Sequence, residues 1–135
     1  MVDLKSDTYI FYKKVGGIYS KALKQKIAFN RYGWIHLSFT SNGHRRSAKD
    51  RRLRFHLFYN APEVVRKAGF LIKETQGNVR SKRGVIRKVT YYEIADSCDH
   101  NRKHLTVVIR KIESGNAHFY SLRRTSHKIK KALKK

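Results

Sequence analysis

The chain has 135 residues, of which 32 are Lys or Arg and 9 are Asp or Glu, for a formal net charge of +23. That length suits one domain, residues 1–135, and a content of 40% hydrophobic and 12% aromatic residues excludes a disordered basic tail, which lacks the apolar side chains to fold. Charge so one-sided opposes compaction, and a polyanion whose counterions are released on binding offsets that cost; RNA is the expected partner.

A membrane surface is the competing polyanion. No apolar run approaches the ~20 residues that span a bilayer, and the opening MVDLKSDTY lacks the apolar core of a signal peptide. The basic end HKIKKALKK offers only Ile129, Ala132 and Leu133 as an apolar face, thin for an interfacial anchor. No membrane anchor is expected. Cys98 is the one cysteine, so no intramolecular disulfide ties the fold to an oxidising compartment, and a reducing cytosol is the expected place of action.

In chain order, Ile18, Leu23, Ile27 and Phe29 recur at roughly helical spacing, which predicts a helix over Gly17 to Arg31. Gly33 breaks it. Trp34 to Thr40 then alternates as a short strand would, with Ile35, Leu37 and Phe39 on one face and His36 on the other. Ser41-Asn42-Gly43 reads as a turn. Ser47 with Asp50 has the spacing of a capping box, opening a helix with Leu53 and Leu57 one turn apart. Asn60-Ala61-Pro62-Glu63 starts a second, short helix that ends near Gly69.

Beyond Gly69 the period becomes that of strands. Phe70 to Thr75 is one, and Gln76 to Gly84 is a polar connection. Val85 to Ala95, Leu105 to Glu113 and Ala117 to Arg124 follow, the last two joined by a Ser114-Gly115-Asn116 hairpin turn. Ser126 to Lys135 is a marginal basic helix or a frayed tail. The expected fold class is α+β, with N-terminal helices packed on a roughly four-stranded antiparallel sheet.

The nine carboxylates are scattered, and the one local cluster, Asp96-Ser97-Cys98-Asp99-His100, reads as a polar turn. A two-metal nuclease needs several convergent oxygen ligands, so neither a metal nor any other cofactor is expected. RNA can be cut without a metal when its 2′-hydroxyl attacks the adjacent phosphorus. Such a site needs a base, an acid, and cations for the charge that develops.

Gly43-His44-Arg45-Arg46-Ser47 supplies an imidazole and two guanidiniums at a helix N-terminus, where free N–H groups favour a phosphate. The alternative is an exposed basic loop that only touches RNA backbone. The hairpin supplies Arg110 and Lys111, then His118 to Thr125. Strict alternation sets His118, Tyr120 and Leu122 on one face and Phe119, Ser121 and Arg123 on the other. One face then offers aromatic stacking and cations to an unpaired base; the bland reading is that these rings fill the core. His56 reads as structural, His100 and His104 as flanking a turn, and His127 as tail. Tyr91-Tyr92 gives one ring to each sheet face.

The segments GHRRSAKDRRLRFHLFYNAPEVVRKAGFL, VTYYEIA and LTVVIRKIESGNAHFYSLRR together resemble the barnase/EndoU/colicin/RelE-like ribonuclease superfamily. The nearest branch is that of phage polyproteins and of C-terminal toxin domains of contact-dependent growth inhibition proteins. The shared pattern is a His-containing loop before a leucine-rich helix, a short proline-containing helix, and a final strand reading aromatic-aromatic-Ser. It covers residues 36 to 125. The resemblance implies a metal-independent ribonuclease, often aimed at tRNA. It places catalytic groups at His44 in the loop and at Tyr120 and Ser121 in the last strand, to which Arg46 and Lys111 are added as phosphate contacts. Arg45, Arg87, Lys88, Arg110, Arg123, Arg124 and Lys128 are the further expected RNA contacts. Toxin members imply an acidic immunity protein, sometimes elongation factor Tu, and delivery within a larger secreted protein into a target cell's cytoplasm. The alternative function is a non-catalytic RNA- or DNA-binding module.

Overall fold

A computed structural model describes residues 3–40, 42–69, 71–80, 82–98 and 103–125. The first element is α1 (Leu4–Val15). Asp3 caps it by accepting the Ser6 amide at 2.7 Å, and Gly16 ends it with φ of 63°, a conformation glycine reaches without a Cβ clash.

The helix expected over Gly17 to Arg31 is instead a hairpin, β1 (Gly17–Ser20) and β2 (Gln25–Ala28), with Ile18 opposite Ile27. Its turn closes through the Lys24 amide on the Ser20 carbonyl at 2.8 Å. The apolar spacing is real, but it serves two strands that both face the core. Ala28 also donates its amide to Ala117, a long-range pairing that local periodicity does not encode.

Residues read as a strand from Trp34 form α2 (Arg31–Ser38). Asn30 starts it, its side chain accepting the Tyr32 amide at 3.1 Å. In this helix Leu37 is buried, whereas Ile35 and Phe39 are 47% and 38% exposed, so the three do not share a core face. The Asn42-Gly43 turn is present: Gly43 has φ of 81° and its amide reaches the Thr40 carbonyl at 2.9 Å. Next, α3 (Ala48–Phe58) begins with Ser47 accepting the Asp50 amide at 3.1 Å. Phe55 and Phe58 enter the core, while Leu53 stays at the surface. α4 (Ala61–Lys67) carries Pro62 in its first turn.

The expected meander is present as β3 (Leu71–Arg80), β4 (Ile86–Cys98), β5 (Lys103–Ile112) and β6 (His118–Arg124). Much of the stretch from Gln76 expected as a connection belongs to β3, because Gln76 to Arg80 pair with Thr90 to Ile86. His104, expected to flank a turn, lies near the start of β5. The sheet is larger than expected and mixed. It has six strands in the order β1-β2-β6-β5-β4-β3, with β2 parallel to β6 through Ala28 and His118. Among the described residues, no helix is long and apolar enough to cross a membrane.

The centre of the core is a knot of four rings: Tyr12, Phe29, Phe58 and Phe119. Phe119 stacks on Phe29 at 5.3 Å and meets Phe58 edge-on at 5.3 Å; Tyr12 lies 4.9 Å from Phe58. Leu105, Val107, Ile109 and Leu122 extend this core under the helices. α2 crosses β6 at Gly33, where an added Cβ would sit 2.5 Å from both the Phe119 ring and its carbonyl. That close approach brings one flank of α2 against β6.

Candidate active site

Strand alternation fixes which side chains of β4, β5 and β6 leave the core. Val107 and Ile109 point inward, so Val108 and Arg110 point outward. Arg110 pairs with Tyr91 on one side and His118 on the other, placing Tyr91, Arg110 and His118 in a row across the outer face.

A β-bulge modifies β6. Ile109 faces Phe119 and Val108 faces Ser121, leaving Tyr120 as the extra residue. Both Phe119 and Leu122 are therefore buried in the core, and the strict alternation expected for this strand breaks. Leu122 does not share a face with His118 and Tyr120. The bulge aims Tyr120 at α2 and β4: its ring lies 4.3 Å from His36 and 5.5 Å from Tyr91.

α2 adds a second wall. Tyr32 and His36 are one turn apart and share a helix flank. The Tyr32 ring lies 5.8 Å from His118, and the Arg110 guanidinium lies 5.5 Å from Tyr32 and 4.5 Å from Tyr120. Arg110 is thus held between two aromatic faces, and its Nε donates to His118 Nε2 at 3.0 Å.

The third wall is the start of α3. Arg46 donates from Nε to the His36 carbonyl at 3.0 Å, and its Nη2 lies 3.3 Å from His36 Nδ1. A guanidinium has no acceptor, so Nδ1 accepts and the neutral His36 ring carries its proton on Nε2. Asp50 accepts from Arg46 at 3.3 Å and from Arg54 at 3.0 Å. Arg54 reaches on to the Leu122 carbonyl at 2.8 Å and to Ser121 Oγ at 3.3 Å. Arg123 pairs with Glu93 beside them.

The electrostatics follow from this crowding. Burial, and then the guanidiniums of Arg46, Arg54 and Arg110, push the His36 pKa down to about 4. Burial and Arg110 push His118 down to about 4, against a hydrogen bond with the Asn116 backbone. Burial also lowers Arg54, with Arg46 opposing its charge while Asp50 supports it. Tyr91 is raised by burial and by the neighbouring Tyr120 phenol. At neutral pH the site holds two uncharged imidazoles beneath a positive field, and an anion bound among the guanidiniums would raise their basicity toward the range useful for proton transfer.

The expected residues divide. Arg46, Arg110, Tyr120 and Ser121 meet in the cluster, and Arg123 flanks it. His44 is exposed; its backbone bonds to Thr40, and among the described residues its imidazole has no hydrogen bond to the cluster. Lys111 follows Arg110 on β5 and so faces the opposite side. Arg45 is exposed and bridges to Phe39 through its backbone. Arg87 pairs with Glu113 at 3.6 Å, Lys88 is exposed beside it, and Arg124 lines a shallow groove with Leu53 and His56. Lys128, with the whole Ser126 to Lys135 tail, lies outside the described residues, as do Asp99 and His100.

Sequence reasoning placed His118 in the hairpin constellation without giving it a role, and did not select His36, Tyr32, Arg54 and Tyr91 for this site. The signal that finds two of them is the i, i+4 spacing of Tyr32 and His36, visible only once Asn30 is taken as a helix cap. Compared with protein-family models, curated proteins and solved structures, the chain matches none.

Proposed function

We propose that the chain is a metal-independent endoribonuclease that cleaves RNA by attack of a 2′-hydroxyl on the adjacent phosphorus. The observation that carries this reading is the meeting of neutral His36, Tyr120 and Arg110 with the Arg46–Asp50–Arg54 network on the outer face of β5 and β6. A base, a hydroxyl donor and several cations are the groups such a reaction needs.

The scissile phosphate sits among Arg46, Arg54 and Arg110. As it draws Arg46 onto its own oxygens, His36 Nδ1 is released to take the 2′-hydroxyl proton. The O2′–P bond forms and the P–O5′ bond breaks. The leaving oxygen takes its proton from Tyr120, whose phenolate is then neutralised from the protonated His36 through solvent. The products are a 2′,3′-cyclic phosphate and a 5′-hydroxyl. Tyr32 and Tyr91 flank this point as stacking faces for the adjoining bases.

The sequence likeness to superfamily toxin domains extends the proposal. The substrate is tRNA, the site of action is a target cell's cytoplasm after delivery within a larger protein, and an acidic immunity protein opposes it, elongation factor Tu being a further partner for some members.

Incubating the purified chain with total RNA in EDTA is the test. Discrete fragments ending in 2′,3′-cyclic phosphate and 5′-hydroxyl support the enzyme. Intact RNA, with elongation factor Tu and divalent cations supplied in separate trials, leaves the alternative of a non-catalytic RNA-binding module.

A further inference from the structure

α2 has two flanks. Tyr32 and His36 belong to the cluster above, whereas Trp34 and Ile35 line a separate cavity of about 740 Å3 between α1 and α2. Its walls are aromatic. Tyr9 lies 4.9 Å from Trp34, and Trp34 stacks at 5.6 Å on Phe55 behind it, which holds the indole in place. Lys5, Lys13 and Arg31 also line the cavity and, among the described residues, no carboxylate does; all three cations are exposed. Lys13 Nζ stands 5.9 Å from the Tyr9 ring centroid.

We infer that this cavity is a distal nucleotide subsite, taking one unpaired base of an RNA strand beside Tyr9 and Trp34, with the neighbouring phosphates on Lys13 and Arg31. The inference rests on the RNA reading above, not on cleavage. Three observations support it. The volume lies in the range that encloses a small ligand, and aromatic faces stack any base because every base has a π-face. The lining cations match phosphate. Above all, a chain of cation–ring contacts links the cavity to the cluster. The Arg31 guanidinium lies 5.7 Å from the Tyr32 ring, and Tyr32 in turn meets Arg110 and His118. A strand leaving the cluster therefore follows cations and rings around the start of α2. The span is of the order of one helix diameter, ~10 Å, a path of a few nucleotides for an unpaired strand.

An acidic peptide with an apolar anchor is the competing occupant, since Ile10 and Ile35 are 53% and 47% exposed at the same place. The pairing of cations with aromatic faces, and the path to the cluster, favour the nucleotide.

Trp34 is the only tryptophan, so its fluorescence reports on this cavity alone. The full chain is titrated with 2′-O-methylated oligonucleotides of two and six nucleotides, which bind without being cut. Overall binding is followed in parallel by anisotropy of an end-labelled copy. The expected result is saturable Trp34 quenching by the six-mer and little by the two-mer. Lys13→Glu and Arg31→Glu, both at exposed positions, should each weaken the quenching about fivefold or more. Six-mer binding seen by anisotropy with Trp34 unchanged overturns the subsite while leaving the RNA reading intact. Quenching by polyglutamate equal to that by the six-mer reassigns the cavity to an acidic protein. No binding by either readout removes the subsite together with the RNA reading.

Discussion

His36 and His118 share an environment yet differ in what their ring nitrogens do. His118 is tied on one side to Arg110 and bonded to the Asn116 backbone, so it orients the guanidinium. His36 Nδ1 faces the Arg46 guanidinium, which a phosphate can draw away. His36→Ala is accordingly expected to lower cleavage about 100-fold or more, the usual range for a positioned proton-transfer group, with RNA binding changed less than about threefold. Tyr120→Phe should do the same at the leaving-group step. Fragment yield and anisotropy, measured on the same preparations, separate the two effects; equal losses in both would remove His36 from the chemistry. Both histidine pKa values lie below the ordinary value of about 6.5, at about 4. Between these limits the unfolded chain binds more protons than the folded one, so stability rises with pH from about 4 to 6.5 and is lost as pH falls. Denaturation midpoints at pH 4.5 and 7 check this, and His118→Asn should flatten the slope. Of this cluster, charge in the sequence marked Arg46 and Arg110, and the superfamily resemblance pointed to Tyr120 and Ser121. His36 was visible as a histidine but its direction was not, since direction depends on the secondary structure around it.

At the level of elements, the α3 cap was legible, whereas the Asp3 and Asn30 caps were not, and Asn60 starts α4 without a side-chain cap hydrogen bond. Ser47 and Asp50 fixed the start of α3, and through it the place of Arg46 and Arg54. Ser47→Ala should cost about 1 kcal/mol of stability and loosen the Arg46–Asp50–Arg54 network. Chemical denaturation together with cleavage at limiting RNA reads both. The two N-terminal misreadings have one physical origin. Around Ile18 and Ile27, and again around Trp34 and Leu37, four or five apolar residues satisfy either period, and tertiary contacts decide between them. The β1–β2 hairpin is fixed by Ala28 meeting β6, and α2 by Gly33 lying on Phe119. Gly33→Ala therefore tests the placement of α2. With a Cβ 2.5 Å from a buried carbonyl and 2.7 Å from Tyr12 Oη, it should destabilise by about 1–3 kcal/mol as overpacking does, although alanine favours an isolated helix. A neutral or stabilising effect on the urea midpoint would contradict this packing. The bulge at Tyr120 was equally hidden, because nothing in His118-Phe119-Tyr120-Ser121 announces an extra residue.

Over the whole molecule, the net charge of +23 is spread over loops, helix starts and outer strand faces. RNA binding should weaken steeply with salt, the logarithmic slope counting the phosphates neutralised at about 0.7 each for a single strand. Replacing Arg110 should remove about one phosphate from that slope, measured by anisotropy between 50 and 300 mM KCl. The α+β class and the β3–β6 meander were readable from alternation and turn residues. The six-stranded extent was not, because β2 joins β6 through a single parallel bridge far apart in sequence.

That bridge and the Gly33 crossing have a kinetic consequence. His36 and Tyr120 are separated by 84 positions (120 − 36), and they meet only after α2 has closed onto the last strand. Closing so long a loop is entropically costly and slow. Cleavage should consequently return in the final phase of refolding, after the helical signal has recovered. A chain still emerging during synthesis, lacking β6, holds His36 without Tyr120, and on the proposed ribonuclease reading it would spare the RNA around it.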